Sequence, residues 1–332
     1  MGITDKVKNA AMSAVINQAL SYLEKDPEAN LPKLMELVDK VVPGDWYVSQ
    51  RGAVRKAIRE KSNWYQLILK LYDLDPGVRK AFFRNFILNA SLLGSATQDE
   101  VSRREGCNVP WAILMDPTSA CNMHCTGCWA AEYGNRLNLS FDELDSIVTQ
   151  GKQLGTYMYI FTGGEPLVRK KDIVALCEKH ADCEFLSFTN GTLIDEEFCR
   201  EMLRVKNFVP AISLEGFEQA NDGRRGDGAF GSAMEAMRLL RSHGLPFGIS
   251  TCYTSANYAD VSSEEYFDQI IDAGALFVWF FHYMPVGTGA VPELLPTPEQ
   301  RTELYKRIRA YRQTKAIFSL DFQNDAEYVG GC

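Results

Sequence analysis

The 332-residue sequence lacks any apolar run long enough, at about 18 residues, to read as a membrane-spanning helix. Its opening, Met1-Gly2-Ile3-Thr4-Asp5-Lys6, lacks the apolar core of a secretory signal. The expectation is therefore a cytoplasmic protein. It also lacks a positive charge balance: the formal net charge of −8 argues against a general nucleic-acid binder. Its nine cysteines are odd in number and follow no signal peptide, so a disulfide framework is a poor reading. No low-complexity segment or short repeat is visible. What remains is ordinary for a globular chain, with 46% hydrophobic and 23% charged residues. The length accommodates one large domain and an appendage.

The charge is uneven. Residues 1–110 carry 16 basic and 13 acidic side chains, whereas 111–332 carry 19 and 30. Residues 51–84 hold nine basic and three acidic ones. Residues 4–94 read as helical, because Val54, Ala57, Ile58, Tyr65, Ile68, Leu71 and Tyr72 recur at steps of three and four. A further helix is expected after Asp75, carrying Val78, Phe82, Phe83, Phe86, Ile87 and Leu88 with Arg79, Lys80 and Arg84. This stretch reads either as a helical domain packed on the main body or, over 51–93, as a basic aromatic face for a membrane surface or an acidic partner. The resulting division is a helical region over 1–95, a polar linker over 96–109, a main domain over 110–315, and the start of a C-terminal extension over 316–332.

From residue 110 the pattern becomes strand and helix in alternation. Strands are expected at Trp111–Asp116, Tyr157–Thr162, Glu184–Thr189, Phe208–Leu214, Phe247–Tyr253 and Phe277–Tyr283. Helices are expected near 140–154, 170–180, 195–204, 229–243, 262–274 and 297–314. Six such units in succession imply an α/β fold with a parallel sheet, either open or curled into a partial barrel. In both, working loops gather at the C-terminal ends of the strands.

Directly after the first strand comes Cys121-Asn-Met-His-Cys125-Thr-Gly-Cys128. Spacings of four and three let one loop wrap three thiolates around one centre. Three ligands on a four-iron cubane leave one iron open to a further ligand. A zinc site with His124 as fourth ligand, or three unrelated core thiols, are the alternatives. This Cys-x3-Cys-x2-Cys pattern after the first strand resembles the radical S-adenosylmethionine (SAM) superfamily, and the likeness covers roughly residues 110–290. It departs at Gly127, where the family usually has an aromatic residue, and Trp129 is the nearest candidate for the missing bulk.

The resemblance implies a partial (β/α)6 TIM-like barrel, a [4Fe–4S] cluster on Cys121, Cys125 and Cys128, and reductive cleavage of SAM to a 5′-deoxyadenosyl radical. It also gives roles to the strand ends. Gly163-Gly164-Glu165-Pro166 is a plain turn by itself; in this register it matches the motif that receives the SAM amino group, with the Glu165 carboxylate suited to an ammonium. Ser187, Thr189 and Asn190 end the third strand, where hydroxyls and an amide suit a ribose, although Asn190-Gly191 is equally a turn. Ser213-Leu214-Glu215-Gly216 matches a Ser-x-Asp-Gly strand end, with Glu215 in place of the usual Asp. Arg225 matches the arginine that faces the SAM carboxylate, against the alternative of a solvated loop arginine. Val286 is expected against adenine. His282 and Tyr283 face either substrate or core.

Cys177, Cys183, Cys199 and Cys252 read as small packing residues. Gly330-Gly331-Cys332 matches the opening of a C-terminal extension that carries an auxiliary cluster in similar enzymes; one thiol cannot hold a cluster, so none is expected within this chain. The implied partners are an external electron donor of flavodoxin or ferredoxin type and an unidentified substrate, which is a peptide, a lipid or other membrane-borne molecule, or a small metabolite. Peripheral membrane contact through 51–93 accompanies the second option. The non-enzymatic alternative is an iron–sulfur or zinc interaction module without SAM cleavage.

Overall fold

The computed structural model describes residues 25–41, 48–287 and 289–325, together with Gln18, Tyr22 and Leu23. Gly330, Gly331 and Cys332 lie outside the described residues, as does the C-terminal part of the expected extension.

Seven strands form one sheet in sequence order: β1 (Ala112–Met115), β2 (Met158–Phe161), β3 (Glu184–Thr189), β4 (Phe208–Ser213), β5 (Gly248–Tyr253), β6 (Phe277–His282) and β7 (Phe318–Asp321). All six pairings are parallel. Sequential parallel strands joined by crossovers of one hand must curl as they twist. The result is a half-barrel in which β1 and β7 are the free edges. The expected strands match β1 to β6. The seventh is an addition: Phe318–Asp321 follows the last expected helix, and four residues are too few for period-two alternation to stand out.

Local chemistry sets the crossovers. The helix Phe141–Leu154 opens on a capping box between Ser140 and Glu143 and closes on Gly155 at φ +91°. Pro298–Thr314 opens on the same device, between Thr297 and Gln300. One main apolar layer lies between the outer sheet face and these helices, built on residues such as Leu144, Tyr159, Phe185, Ile249 and Phe280.

The N-terminal helices close the foot of the half-barrel. A π-helical segment, Phe83–Leu93, lies against the turn before β3. There Asn85 Nδ2 donates to the carbonyls of Ala181 and Cys183, and Asn89 Nδ2 to that of Asp182. Ala90 and Phe86 from this segment join Met158, Ile160, Leu186 and Ala211 in a second apolar cluster, on the inner face of the sheet. Part of the aromatic face expected over 51–93 is therefore turned inward: Phe86 also packs on Phe82 and Trp111. Arg79 is buried over the ring of Tyr72. The expected linker needs a second correction. Gly94–Glu105 is a helix, with Gln98 buried and its Nε2 donating to the carbonyl of Gly155. Its polar sequence reflects one exposed face rather than an extended segment.

Glu184, at the foot of β3, is buried, and its Oε2 has no hydrogen-bond partner. Burial raises its pKa to about 8 from 4.5, opposed by Asn85 and Arg84. The unfolded chain ionises in the ordinary range, so this site contributes full stability below pH 4.5 and loses it as pH rises toward 8. Glu184→Gln keeps the shape and removes the proton. Its melting temperature should exceed that of the parent at pH 8 by an amount equivalent to roughly 1–3 kcal/mol, and the two should converge near pH 4.5. Melting curves that stay parallel across this range would refute the assignment.

Candidate active site

The three cysteines sit where β1 hands the chain to the C-terminal rim. Cys121, Cys125 and Cys128 are all free and partly exposed. Backbone hydrogen bonds fix their loop from three sides. Gly164 N–H donates to the Thr118 carbonyl at 3.0 Å and Glu165 N–H to the Ala120 carbonyl at 2.8 Å. Thr126 N–H donates to the Arg224 carbonyl at 2.8 Å, and Arg224 Nε returns a bond to the Thr126 carbonyl at 3.1 Å. Asn122 Oδ1 accepts from Asn190 Nδ2 at 2.8 Å. The loop is thus tied to the ends of β2, β3 and the helix after β4.

Both glycines of the β2 loop are sterically required. A Cβ at Gly164 would lie 2.2 Å from the Ala120 carbonyl oxygen, and Gly163 has φ +102° with the Thr118 oxygen 2.7 Å from its Cβ position. Glu165 departs from its expected role. Its side chain is buried and accepts from Leu167 N–H at 2.9 Å, Thr189 Oγ1 at 2.8 Å and Asn190 N–H at 2.7 Å. Burial raises its pKa, opposed by those donors and by Arg225. The carboxylate is a brace between β2 and β3, and an incoming ammonium would meet the loop's backbone carbonyls instead.

The β3 residues divide in the same way. Ser187 is fully buried, its hydroxyl donating to the Phe188 carbonyl, so it does not reach the rim surface. Thr189 is committed to Glu165. Asn190 links the cysteine loop to Thr192, whose N–H and hydroxyl donate to its Oδ1. Ser213 is half-buried at the end of β4, in register with Ser250.

Arg225 lies at the end of a helix, Glu218–Arg225, where a loop was expected. Its Nη1 donates to Glu215 at 2.9 Å, and Arg224 Nη1 donates to both oxygens of Glu215 at 2.5 and 2.7 Å. Glu215, also buried, raises the pKa of both arginines against the opposing effect of burial. Two cations on one anion leave a net positive charge beside Cys125. Burial pushes the Cys125 and Cys121 thiols up, and Arg225 pulls both back toward thiolate.

Two residues stand beside the cysteine loop in roles that sequence reasoning did not give them. Tyr283 is buried, and its ring occupies the space over Gly127: a Cβ there would lie 2.5 Å from Tyr283 Oη, and the backbone is at φ +68°. Its hydroxyl accepts from Val291 N–H, and Arg224 sits 5.8 Å above its ring. Tyr283, from the end of β6, therefore supplies the bulk expected of Trp129, which is exposed and packs on Tyr133. Cys252 is the other. Its register partner is Phe281, and burial pushes its thiol up to about 12, with Arg224 opposing the shift and Glu215 adding to it. The alternation of β5 was the available signal for that placement. His282 faces the other way, onto Tyr253, and Val286 is exposed in the loop beyond.

Among the described residues, no three His, Cys, Asp or Glu side chains converge to hold a single metal ion, and His124 is exposed. A cubane places its three thiolates on three separate irons, which suits thiols spread along one eight-residue loop. With the cationic pair alongside, the donor set fits such a cluster.

The family model for the radical SAM superfamily matches residues 115–272. The chain is 28% identical over 198 residues to an Fe-coproporphyrin III synthase of Methanosarcina barkeri, covering 57% of this chain and 48% of that protein. It is 27% identical over 188 residues to an AdoMet-dependent heme synthase of the same organism, covering 55% and 53%. The chain thus spans about half the length of these curated relatives. Among solved structures, SuiB of Streptococcus suis bound to S-adenosylmethionine superposes with a TM-score of 0.57 at 17% identity, over 71% of this chain and 57% of that one. This likeness is one of fold.

The brace can be tested by itself. Glu165→Ala should destabilise the protein by about 3 kcal/mol in urea unfolding, because it strands three buried donors. Thr189→Val, which removes one of them, should cost about 1 kcal/mol. Equal and negligible losses from both would show that the carboxylate braces nothing.

Proposed function

The chain belongs to the radical SAM superfamily, and from that premise we propose an enzyme that holds a [4Fe–4S] cluster on Cys121, Cys125 and Cys128 and uses it on S-adenosylmethionine. The observation that carries this reading is the fixing of the cysteine loop beside the Gly163-Gly164 turn and the Arg224–Arg225 pair, all on one rim. When bound, such a cluster supplies the electron that splits the sulfonium of SAM and yields a 5′-deoxyadenosyl radical.

The roles of this chain's own residues follow from their chemistry. Gly163 and Gly164 bring backbone carbonyls close enough to accept from the SAM ammonium. Arg225 offers a planar fork to its carboxylate, and Arg224 keeps Glu215 neutralised when Arg225 turns to the ligand. Asn190 and Ser213 present an amide and a hydroxyl to the ribose. Val286 provides an exposed apolar surface for adenine. Ser187, being buried, is left out of this set, and Thr189 acts through Glu165. The reading implies an external one-electron donor of flavodoxin or ferredoxin type and a substrate held beneath the rim. Among the described residues no helix is long and apolar enough to cross a membrane; contact with a membrane surface through 51–93 belongs to this proposal.

Anaerobic reconstitution should give about four irons and four sulfides per chain, and incubation with SAM and dithionite should release 5′-deoxyadenosine. Cys125→Ala should lose both. Arg225→Ala should retain the iron and weaken SAM binding by about tenfold, the loss of one charge-assisted pair. One zinc per chain without labile sulfide, or a full cluster with no 5′-deoxyadenosine, would overturn the reading.

A further inference from the structure

Apart from Ser213 at its upper margin, the inner face of the half-barrel below the cysteine loop belongs to none of the roles above. In a parallel sheet, register partners point to the same side. One inner row runs Phe188, Ala211, Gly248, Phe277 and Phe318, and the row above it runs Ser213, Ser250, Trp279 and Leu320. Small residues on β4 and β5 lie between large ones on β3 and β6. The aromatic rings lean across them: Phe188 meets Trp279 and Phe281, each at 5.5 Å, and Phe281 meets Phe322 at 5.2 Å. The ring of Phe277 lies over Gly248, 2.2 Å from where a Cβ would be. Together they make an aromatic floor.

The floor is not sealed from above. Along β6, Val278 and Phe280 on the outer side are buried, whereas Phe277, Trp279 and Phe281 on the inner side remain partly exposed. At the two free edges of the sheet, Leu114 is 60% and Phe322 43% exposed. Soluble chains rarely leave a continuous aromatic surface uncovered without a ligand for it. The floor carries no cation: among the described residues, no inner-facing position of the seven strands is Lys, Arg or His, and the inner-facing acid, Glu184, is buried at the foot beneath the N-terminal helices. A carboxylate or phosphate seated there would find no counter-charge, and above the buried Glu184 a peptide backbone would find only the hydroxyls of Ser213 and Ser250 and the thiol of Cys252 on the strands.

We infer that the substrate of the proposed enzyme presents a long hydrocarbon chain, acyl or isoprenoid, to this floor. The chain lies across Phe188, Trp279 and Phe281 and leaves through the seam between β1 and β7, past Leu114 and Phe322. This rests on the reading above, which places the reacting centre on the rim over the same floor. The polar end of such a molecule stays outside the seam, where the cation-free wall imposes no cost on it.

The probe is methyl cis-parinarate, an uncharged fluorescent polyene chain, titrated into the protein as isolated. Saturable binding in the low-micromolar range is expected, about that of a buried hydrocarbon chain. Ser250→Phe, which fills the floor beside Trp279, should weaken it at least tenfold. Phe322→Ser, at an exposed edge where folding is not at stake, should weaken it about fivefold. No saturable binding, equal binding by both folded variants, or displacement of the ester at lower concentration by coproporphyrin III or an apolar peptide would overturn the inference. Release of 5′-deoxyadenosine by the parent protein is measured separately. If it forms while the chain does not bind, the substrate class alone is wrong. If the chain binds and no 5′-deoxyadenosine forms, the enzymatic reading fails and takes the substrate class with it.

Discussion

The site depends on one buried carboxylate. Glu165 belongs to the loop after β2, accepts from the end of β3, and through its own N–H holds the carbonyl just before Cys121. A carboxylate removed from water is costly unless its lone pairs are filled. Here three donors fill them, so any movement of β3 or of the cysteine loop exposes an unmet desolvation penalty. The loop that carries the thiols therefore has a preferred position before anything binds to it. Preorganisation of this kind matters most where three ligands must meet a rigid cluster with little freedom to adjust.

Electrostatics repeats the design on the opposite side. Glu215 alone in the interior would be expensive; with Arg224 and Arg225 it becomes part of a triad of net charge +1. Arg224 also exchanges two hydrogen bonds with Thr126. One residue thus neutralises an anion and fastens the cysteine loop, which leaves Arg225 the freer of the two to meet another carboxylate. The substitution of Glu for the Asp expected at 215 fits this arrangement, since the longer side chain reaches both guanidinium groups.

Much of this was legible in the sequence, for identifiable reasons. Alternating strands and helices announce themselves through period and caps, and the Cys-x3-Cys-x2-Cys spacing is short-range and chemically specific. The features that escaped are long-range. The role of Glu165 depends on which donors β3 brings to it, and no local pattern encodes that. The partnership of Gly127 with Tyr283 joins residues more than 150 positions apart, so the glycine looks like a deficit until the tyrosine ring is seen in the space. Ser187 pairs in register with Phe161 on the buried outer face of the sheet, a neighbour that its own stretch of sequence does not show. The helix over 94–105 reads as a linker because a helix with a single buried edge carries little apolar signal.

The same long-range contact ties the rim to the aromatic floor. Tyr283 follows directly on β6, the strand that supplies Phe277, Trp279 and Phe281, and its ring rests on the backbone of the cysteine loop. A side chain at 127 would push that ring away, and with it the end of β6. Glycine at this position therefore lets the strand approach the thiols more closely than an aromatic residue would. The consequence is that the end of β6 and the loop carrying the thiols are held in contact through one ring. An aromatic face without cationic side chains offers few ways to hold a rigid anionic molecule and many contacts to a flexible apolar one, whose dispersion energy accumulates along its length. The departure at Gly127 and the composition of β6 are thus two expressions of one adaptation of the half-barrel.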